Sequence, residues 1–255
     1  MKGFNKFLIF YFAVAGSENQ VRIVDLKSGS LSHELRGHES SVLTCRWSPS
    51  KEFLLATGGC DGRILLWDVR STNNFIQVLD PSNTTKYITS KTPKAPSSHS
   101  GCVNGLCFTR DGHYLVSLGT DDKARLWNMV TNKNENVNYG TIPNEIRKCI
   151  QFDVTHYAKP ELIYIPSEGS ILVYELLTGK QVKTLLGHYN LVNSCRFNVM
   201  NQELYSGGND RSVLIWTADQ TQSEAYEEHI SAQGVSKVKV EDVTRDVWSS
   251  DEESN

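Results

Sequence analysis

Three groups of residues in this chain have side chains that could move protons. They are His38, Thr57 and Asp61; His99, Ser117 and Asp121; and His188, Ser206 and Asp210. An imidazole held between a carboxylate and a hydroxyl is the arrangement of nucleophilic hydrolysis, in which the ring takes the hydroxyl proton and the carboxylate orients the ring. The spacing argues against that chemistry. A reactive centre is needed once, yet the set occurs three times. In each copy the His precedes the Asp by 22 or 23 residues, and a tryptophan (Trp67, Trp127, Trp216) follows the Asp by six. The first copy also has Thr57 where a hydrolase would place its serine. A structural role accounts for all four residue types. The Asp accepts backbone N–H groups and the imidazole proton, the hydroxyl bonds the other ring nitrogen, and the indole adds a donor, so that a buried turn is satisfied internally. The expectation is a chain with no catalytic residues, not an enzyme, in which these twelve residues are framework.

No further catalytic constellation competes. Gly-x-Gly-x-x-Gly, P-loop, Gly-x-Ser-x-Gly and His-Glu-x-x-His patterns are all missing. The six cysteines include no Cys-x-x-Cys pair, so neither a metal nor another cofactor is expected. Cys45 and Cys195 sit inside the apolar runs LTCRW and NSCRF, where a thiol acts as a small hydrophobe. That usage fits a reducing compartment, the cytosol or nucleus.

The elements that must position these residues are strands. Apolar or alternating runs rich in branched residues (VLTCRW, FLLAT, RILLW, FIQVL) are separated by Gly, Asp, Ser and Pro turns. The pattern repeats. Two weaker copies, anchored at Val24 and Tyr174, share the register of the three tryptophans, and the five anchors lie 43, 60, 47 and 42 residues apart. A lone four-stranded sheet cannot bury both faces, whereas stacked sheets can. The repeating part spans residues 12–216, with an insertion over 80–98 (DPSNTTKYITSKTPKAPSS) that reads as a polar, mobile loop.

The two ends differ from the repeats. Residues 1–11 have no place in the register, and the apolar run from Phe7 to Val14 imitates a short signal peptide, although the register favours a buried strand over Phe12–Ala15. Residues 217–255 lose strand alternation and read as a disordered acidic tail. Positions 241–255 carry a net charge of −5 out of a total of −3, which leaves the remainder near +2, too little for direct binding of nucleic acid. Hydrophobic and charged fractions of 39% and 22% describe a soluble globular protein rather than a membrane protein. Ser249 and Ser250 each have a glutamate three residues on, the pattern of acidic-directed phosphorylation, and Trp248 beside them could act as a docking aromatic.

The phrases LRGHES, LLATGGCDGRILLWDVR, GTDDKARLWN, QELYSGGNDRSVLIW and the closing DVWSSDEES resemble the WD40 substrate receptors of cullin-RING ubiquitin ligases. The period of roughly 40–45 residues is that of the WD40 repeat. The resemblance implies an all-β WD40 β-propeller. Five repeat registers are present, the first incomplete, and they correspond to the later blades of a seven-bladed ring in an N-terminally shortened chain. It further implies a nuclear protein of transcription-coupled nucleotide excision repair. Its partners would be the damaged-DNA-binding adaptor protein, the cullin-RING ligase, and repair and transcription factors. Trp67-Asp68-Val69-Arg70 is similar to the Trp-Asp-x-Arg box of proteins that join this adaptor, with Trp67, Asp68 and Arg70 as the partner-binding residues. From the residues alone, a general WD40 adaptor without a ubiquitination role, or a truncated form without function, stays open.

Overall fold

The computed structural model describes residues 11–71, 75–83, 96–155 and 160–217. Ser249, Ser250 and Trp248 lie outside the described residues, as do Met1–Phe10 and most of the 80–98 insertion. Among the described residues eighteen strands form five sheets, and in each sheet strands consecutive in the chain are neighbours. The first sheet holds β1 (Tyr11–Val14), β2 (Gln20–Asp25) and β3 (Leu31–Arg36). The second holds β4 (Val42–Trp47), β5 (Leu54–Gly59), β6 (Ile64–Asp68) and β7 (Gln77–Val78). The third holds β8 (Val103–Phe108), β9 (Tyr114–Gly119), β10 (Ala124–Asn128) and β11 (Lys133–Asn134). The fourth is built from β12 (Asp153–Val154), β13 (Leu162–Ser167), β14 (Ser170–Glu175) and β15 (Gln181–Leu186). The fifth has β16 (Val192–Asn198), β17 (Glu203–Gly208) and β18 (Val213–Thr217).

Sheets stack face to face, and the two-residue period of a strand decides which neighbour each side chain meets. In the second sheet Leu55, Leu65 and Trp67 pack with Val21, Ile23 and Leu35 of the first. The intervening residues Leu54, Ala56, Ile64 and Leu66 point the other way and pack with Val103, Leu106, Phe108 and Trp127 of the third. Serving two cores at once explains why all six positions of β5 are buried and why the sequence there is apolar without alternation. Burying each such Leu or Ile contributes about 1.5–3 kcal/mol relative to leaving it exposed. A third core joins Val116, Leu118 and Leu126 to Phe152, Ile163 and Ile165 of the fourth sheet and on to Val192 and Leu204 of the fifth.

The first and fifth sheets behave differently. Phe12 and Val14 of β1 are 56% and 53% exposed, and Val213 and Ile215 of β18 are 71% and 58% exposed. The strand expected over Phe12–Ala15 therefore forms, beginning at Tyr11, but it is not buried: only the side of Ala13 faces a neighbouring sheet. The insertion also needs correction at its ends. Asp80 and Ser98 are buried, and the Ser98 hydroxyl donates to the Leu79 carbonyl at 2.6 Å while accepting the Ile64 amide at 2.9 Å. Both ends are thus part of the packed structure, because the Ile64 amide of β6 lies beyond the two-residue β7 and needs an acceptor there.

Candidate functional site

The structure brings each predicted quartet together. His38 Nδ1 lies 2.9 Å from Asp61 and Nε2 lies 2.7 Å from the Thr57 hydroxyl, to which the Trp67 indole donates at 2.8 Å. The second set repeats this with His99 to Asp121 at 2.7 Å, His99 to Ser117 at 2.8 Å and Trp127 to Ser117 at 2.9 Å. In the third, His188 to Asp210, His188 to Ser206 and Trp216 to Ser206 are all 2.8 Å. The contact with the carboxylate puts the ring proton on Nδ1. Each hydroxyl then donates to Nε2 and accepts from the indole, so every polar atom in the chain of bonds has a partner. The carboxylates also collect backbone amides: Glu39 and Arg63 donate to Asp61, Ser100 to Asp121, and Tyr189 and Ser212 to Asp210.

Local sequence dictates this assembly. The hydroxyl residue and the tryptophan are on neighbouring strands of one hairpin, and the Asp sits in its turn; Thr57 in β5 faces Leu65, two residues from Trp67. The glycine two residues before each Asp makes room for the pair. A Cβ at Gly119 would stand 2.2 Å from His99 Nδ1 and 2.4 Å from Asp121 Oδ1, and one at Gly59 or Gly208 would also fall within 3.0 Å of both partners. The glycine before His38 and His188 has a different neighbour, the far edge of the indole: a Cβ would lie 2.9 Å from Trp67 or 2.8 Å from Trp216.

Burial holds the His99 imidazole below its usual range, against the pull of Asp121, so the ring is neutral near pH 7. Burial alone would raise the carboxyls of Asp61 and Asp121. The bonds from His38 and His99 and from the amides outweigh it, joined at Asp121 by the Arg125 guanidinium 3.0 Å away, and both stay well below the usual carboxylate range. The three hydroxyl residues Thr57, Ser117 and Ser206 are at most 2% exposed. A nucleophile must reach its substrate, and these oxygens are sealed behind indole and imidazole rings.

The fourth sheet carries the register without the quartet. Tyr174 takes the tryptophan position and packs edge-on against Tyr139 at 5.8 Å, whose hydroxyl donates to the Leu176 carbonyl at 2.5 Å. The chain entering this sheet is held by a buried amide pair, Asn104 with Asn144, which sequence reasoning did not find. The spacing does not signal it: Asn104 recurs as Asn193, five residues after the quartet histidine, but there the amide bonds Asn209 instead.

Of the residues expected at a partner contact, Trp67 is 1% exposed and locked in its quartet, which leaves Asp68 and Arg70 at the surface. The Arg70 guanidinium forks onto Asp68, with Nε to Oδ1 at 2.9 Å and Nη2 to Oδ2 at 2.5 Å, and it lies over the Phe53 ring at 4.7 Å. This bond and the charge of Arg70 hold the Asp68 carboxyl down. Beside them opens a groove of 200 Å³ between the first two sheets, lined by Tyr11, Ile23, His33, Trp47, Phe53 and Arg70 among others. Aromatic walls with a few charged groups at the rim suit a protein side chain better than a polar metabolite.

Repeats, sheets and quartets together define a WD40-repeat protein. The WD40 family (WD domain, G-beta repeat) matches residues 29–68, 91–128 and 179–217. Among individual proteins, the chain is similar to WD repeat-containing protein ATCSA-1 of Arabidopsis thaliana, 33% identical over 80% of this chain and 58% of that protein. It is also similar to DDB1- and CUL4-associated factor 13 of Dictyostelium discoideum, 23% identical over 74% of this chain and 37% of the other. The chain thus spans little more than half the length of the first of these relatives, and less of the second. A chain in the crystal structure of a mitotic checkpoint complex superposes with a TM-score of 0.63 over 83% of this chain and 58% of its own length, at 21% identity, which bears on fold alone.

Proposed function

We propose that this WD40 chain is the substrate-recognition subunit of a cullin-RING ubiquitin ligase, acting in the nucleus in transcription-coupled nucleotide excision repair, and that its particular kinship is with the Cockayne syndrome group A protein. The observation that carries the reading is the surface fork of Arg70 on Asp68 at the rim of an aromatic groove, in the one Trp-Asp-x-Arg box of the chain. Held by Asp68 and Phe53, the guanidinium is set in place before a partner arrives, which lowers the ordering cost of binding. The ligase reading draws on the relative named ATCSA-1 and on the relative named for its association with DDB1 and CUL4. The quartets serve as framework beneath this surface, and the partners are the damaged-DNA-binding adaptor, the cullin assembly, and repair and transcription factors.

Affinity capture from nuclear extract tests the reading, with the tagged full chain as bait. The wild type retains the adaptor and a cullin, Arg70→Asp loses both, and Lys180→Ala on the fourth sheet retains them. Recovery of neither protein by a wild-type chain that shows a cooperative unfolding transition would overturn it.

A further inference from the structure

We propose that Cys60 and Cys102 form an oxidation site, a dithiol that hydrogen peroxide converts into a disulfide joining the second and third sheets. Cys60 follows β5 directly and Cys102 immediately precedes β8. The Cys102 sulfur lies 4.0 Å from the Cys60 carbonyl oxygen. Both residues are half-buried, neither sealed in a core nor fully open. Burial, the larger cause, and the neighbouring Cys102 push the Cys60 thiol up to about 11, so the first attack on peroxide falls to Cys102.

The backbones on either side are pinned. The Cys60 amide donates to Ser41 at 2.8 Å, the Cys102 amide to the Thr120 hydroxyl at 2.9 Å, and the Thr120 amide to the Cys102 carbonyl at 2.8 Å. Between the two turns, the His99 amide donates to the Gly62 carbonyl at 2.8 Å, and a Cβ on Gly62 would meet the His99 oxygen at 2.4 Å. With both turns held, the Cys102 sulfur stays beside the Cys60 backbone, and a bridge asks for reorientation of the two side chains. The other thiols lack this combination. Cys107 and Cys195 are 5% and 1% exposed, sealed in the core between sheets.

The chemistry has two steps. The Cys102 thiolate attacks an oxygen of hydrogen peroxide, the O–O bond breaks, and the Cys102 sulfenic acid and hydroxide form. The second thiol gives up its proton and attacks the sulfenic sulfur. The S–S bond forms, the S–O bond breaks, and the leaving hydroxide departs as water with that proton. Two thiols are oxidised by two electrons, and one peroxide is reduced to two waters.

Peptide mapping of the full chain tests the site. The reduced chain is treated with hydrogen peroxide, free thiols are blocked with N-ethylmaleimide, and a tryptic digest is read without reduction. The expected product links peptide 52–63 to peptide 95–110, at least tenfold above any other cross-link, with fragmentation placing the bond on Cys102 and not Cys107. Dithiothreitol restores two alkylatable thiols. In Cys60→Ser, and separately in Cys60→Ala, Cys102 is instead trapped as a dimedone adduct. Full alkylation of Cys60 and Cys102 after peroxide, a dominant bond to Cys149, or direct conversion of Cys102 to the sulfonic acid would overturn the proposal.

Discussion

Asn104 and Asn144 face one another as a reciprocal amide pair, each Nδ2 donating to the other's Oδ1 at 2.9 Å. Each uses its second N–H on a backbone carbonyl, Asn104 on Ile146 at 2.7 Å and Asn144 on Gly119 at 2.9 Å. The pair ties the segment that enters the fourth sheet to the third, and neither side chain is more than 4% exposed.

Replacing Asn144 with Leu strips the Asn104 amide of its partner in a site that water does not reach. The expected loss is about 1–3 kcal/mol, the range for a stranded buried polar group. Replacing both with Leu costs less than the sum of the two single changes, because no polar atom of the pair is left behind. Urea unfolding of the three variants checks this, and strictly additive losses would contradict the pairing.

In the quartets, Asp121→Asn removes an anionic acceptor from His99, Ser100 and Arg125, and His188→Ala leaves Ser206 and Asp210 without the ring between them. Each is expected to destabilise its blade by about 1–3 kcal/mol. Thermal unfolding is the measurement, and two variants with wild-type transitions would show that the bonds contribute nothing.

Gly119→Ala needs no loss of a bond to do harm. The new methyl would enter the His99–Asp121 contact, with both partners packed tightly and unable to withdraw. A cost above about 2 kcal/mol is expected, in the upper range for overpacking. Gly140→Ala meets no atom within 4 Å but sits at φ +74°, so it reports backbone strain alone and should cost less.

Acid should act in two stages. The His99 ring resists protonation in the folded chain, whereas the unfolded ring protonates near its ordinary value of about 6.5. Below that pH the unfolded state binds more protons, so stability falls as pH drops through 6.5 and levels off below the depressed folded value. The carboxyls of Asp61 and Asp121 are also depressed. Their contribution is present above about 3.9 and is lost only as pH falls further. Melting temperatures between pH 7.5 and 5.0 isolate the first stage, and it should shrink in His99→Gln.

What was legible in the sequence follows from distance along the chain. Asp, hydroxyl and Trp of a quartet fall within one hairpin, so fixed spacing exposed them, and the recurring His completed the set. The same repetition exposed the sheet stack, including the positions of Val24 and Tyr174 that lack the tryptophan. Features that occur once were silent. The Asn104–Asn144 pair, the Tyr139–Tyr174 contact and the anchoring of Ser98 on Leu79 join residues of no common spacing. Burial of β1 was misjudged for a related reason. An apolar run records a tendency to be covered, and only the neighbouring sheet decides whether it is.

The uneven covering of the sheets has a kinetic meaning. The second and third sheets are clamped from both sides, while the first and fifth are held from one, so amide exchange should be slowest in β5, β6, β8 and β9 and quicken toward both extremes. Arg70 and its groove stand at the junction of the first two sheets, on the softer side of that gradient. A partner bound there would also hold the first sheet shut, so that recognition and local rigidity would rise together.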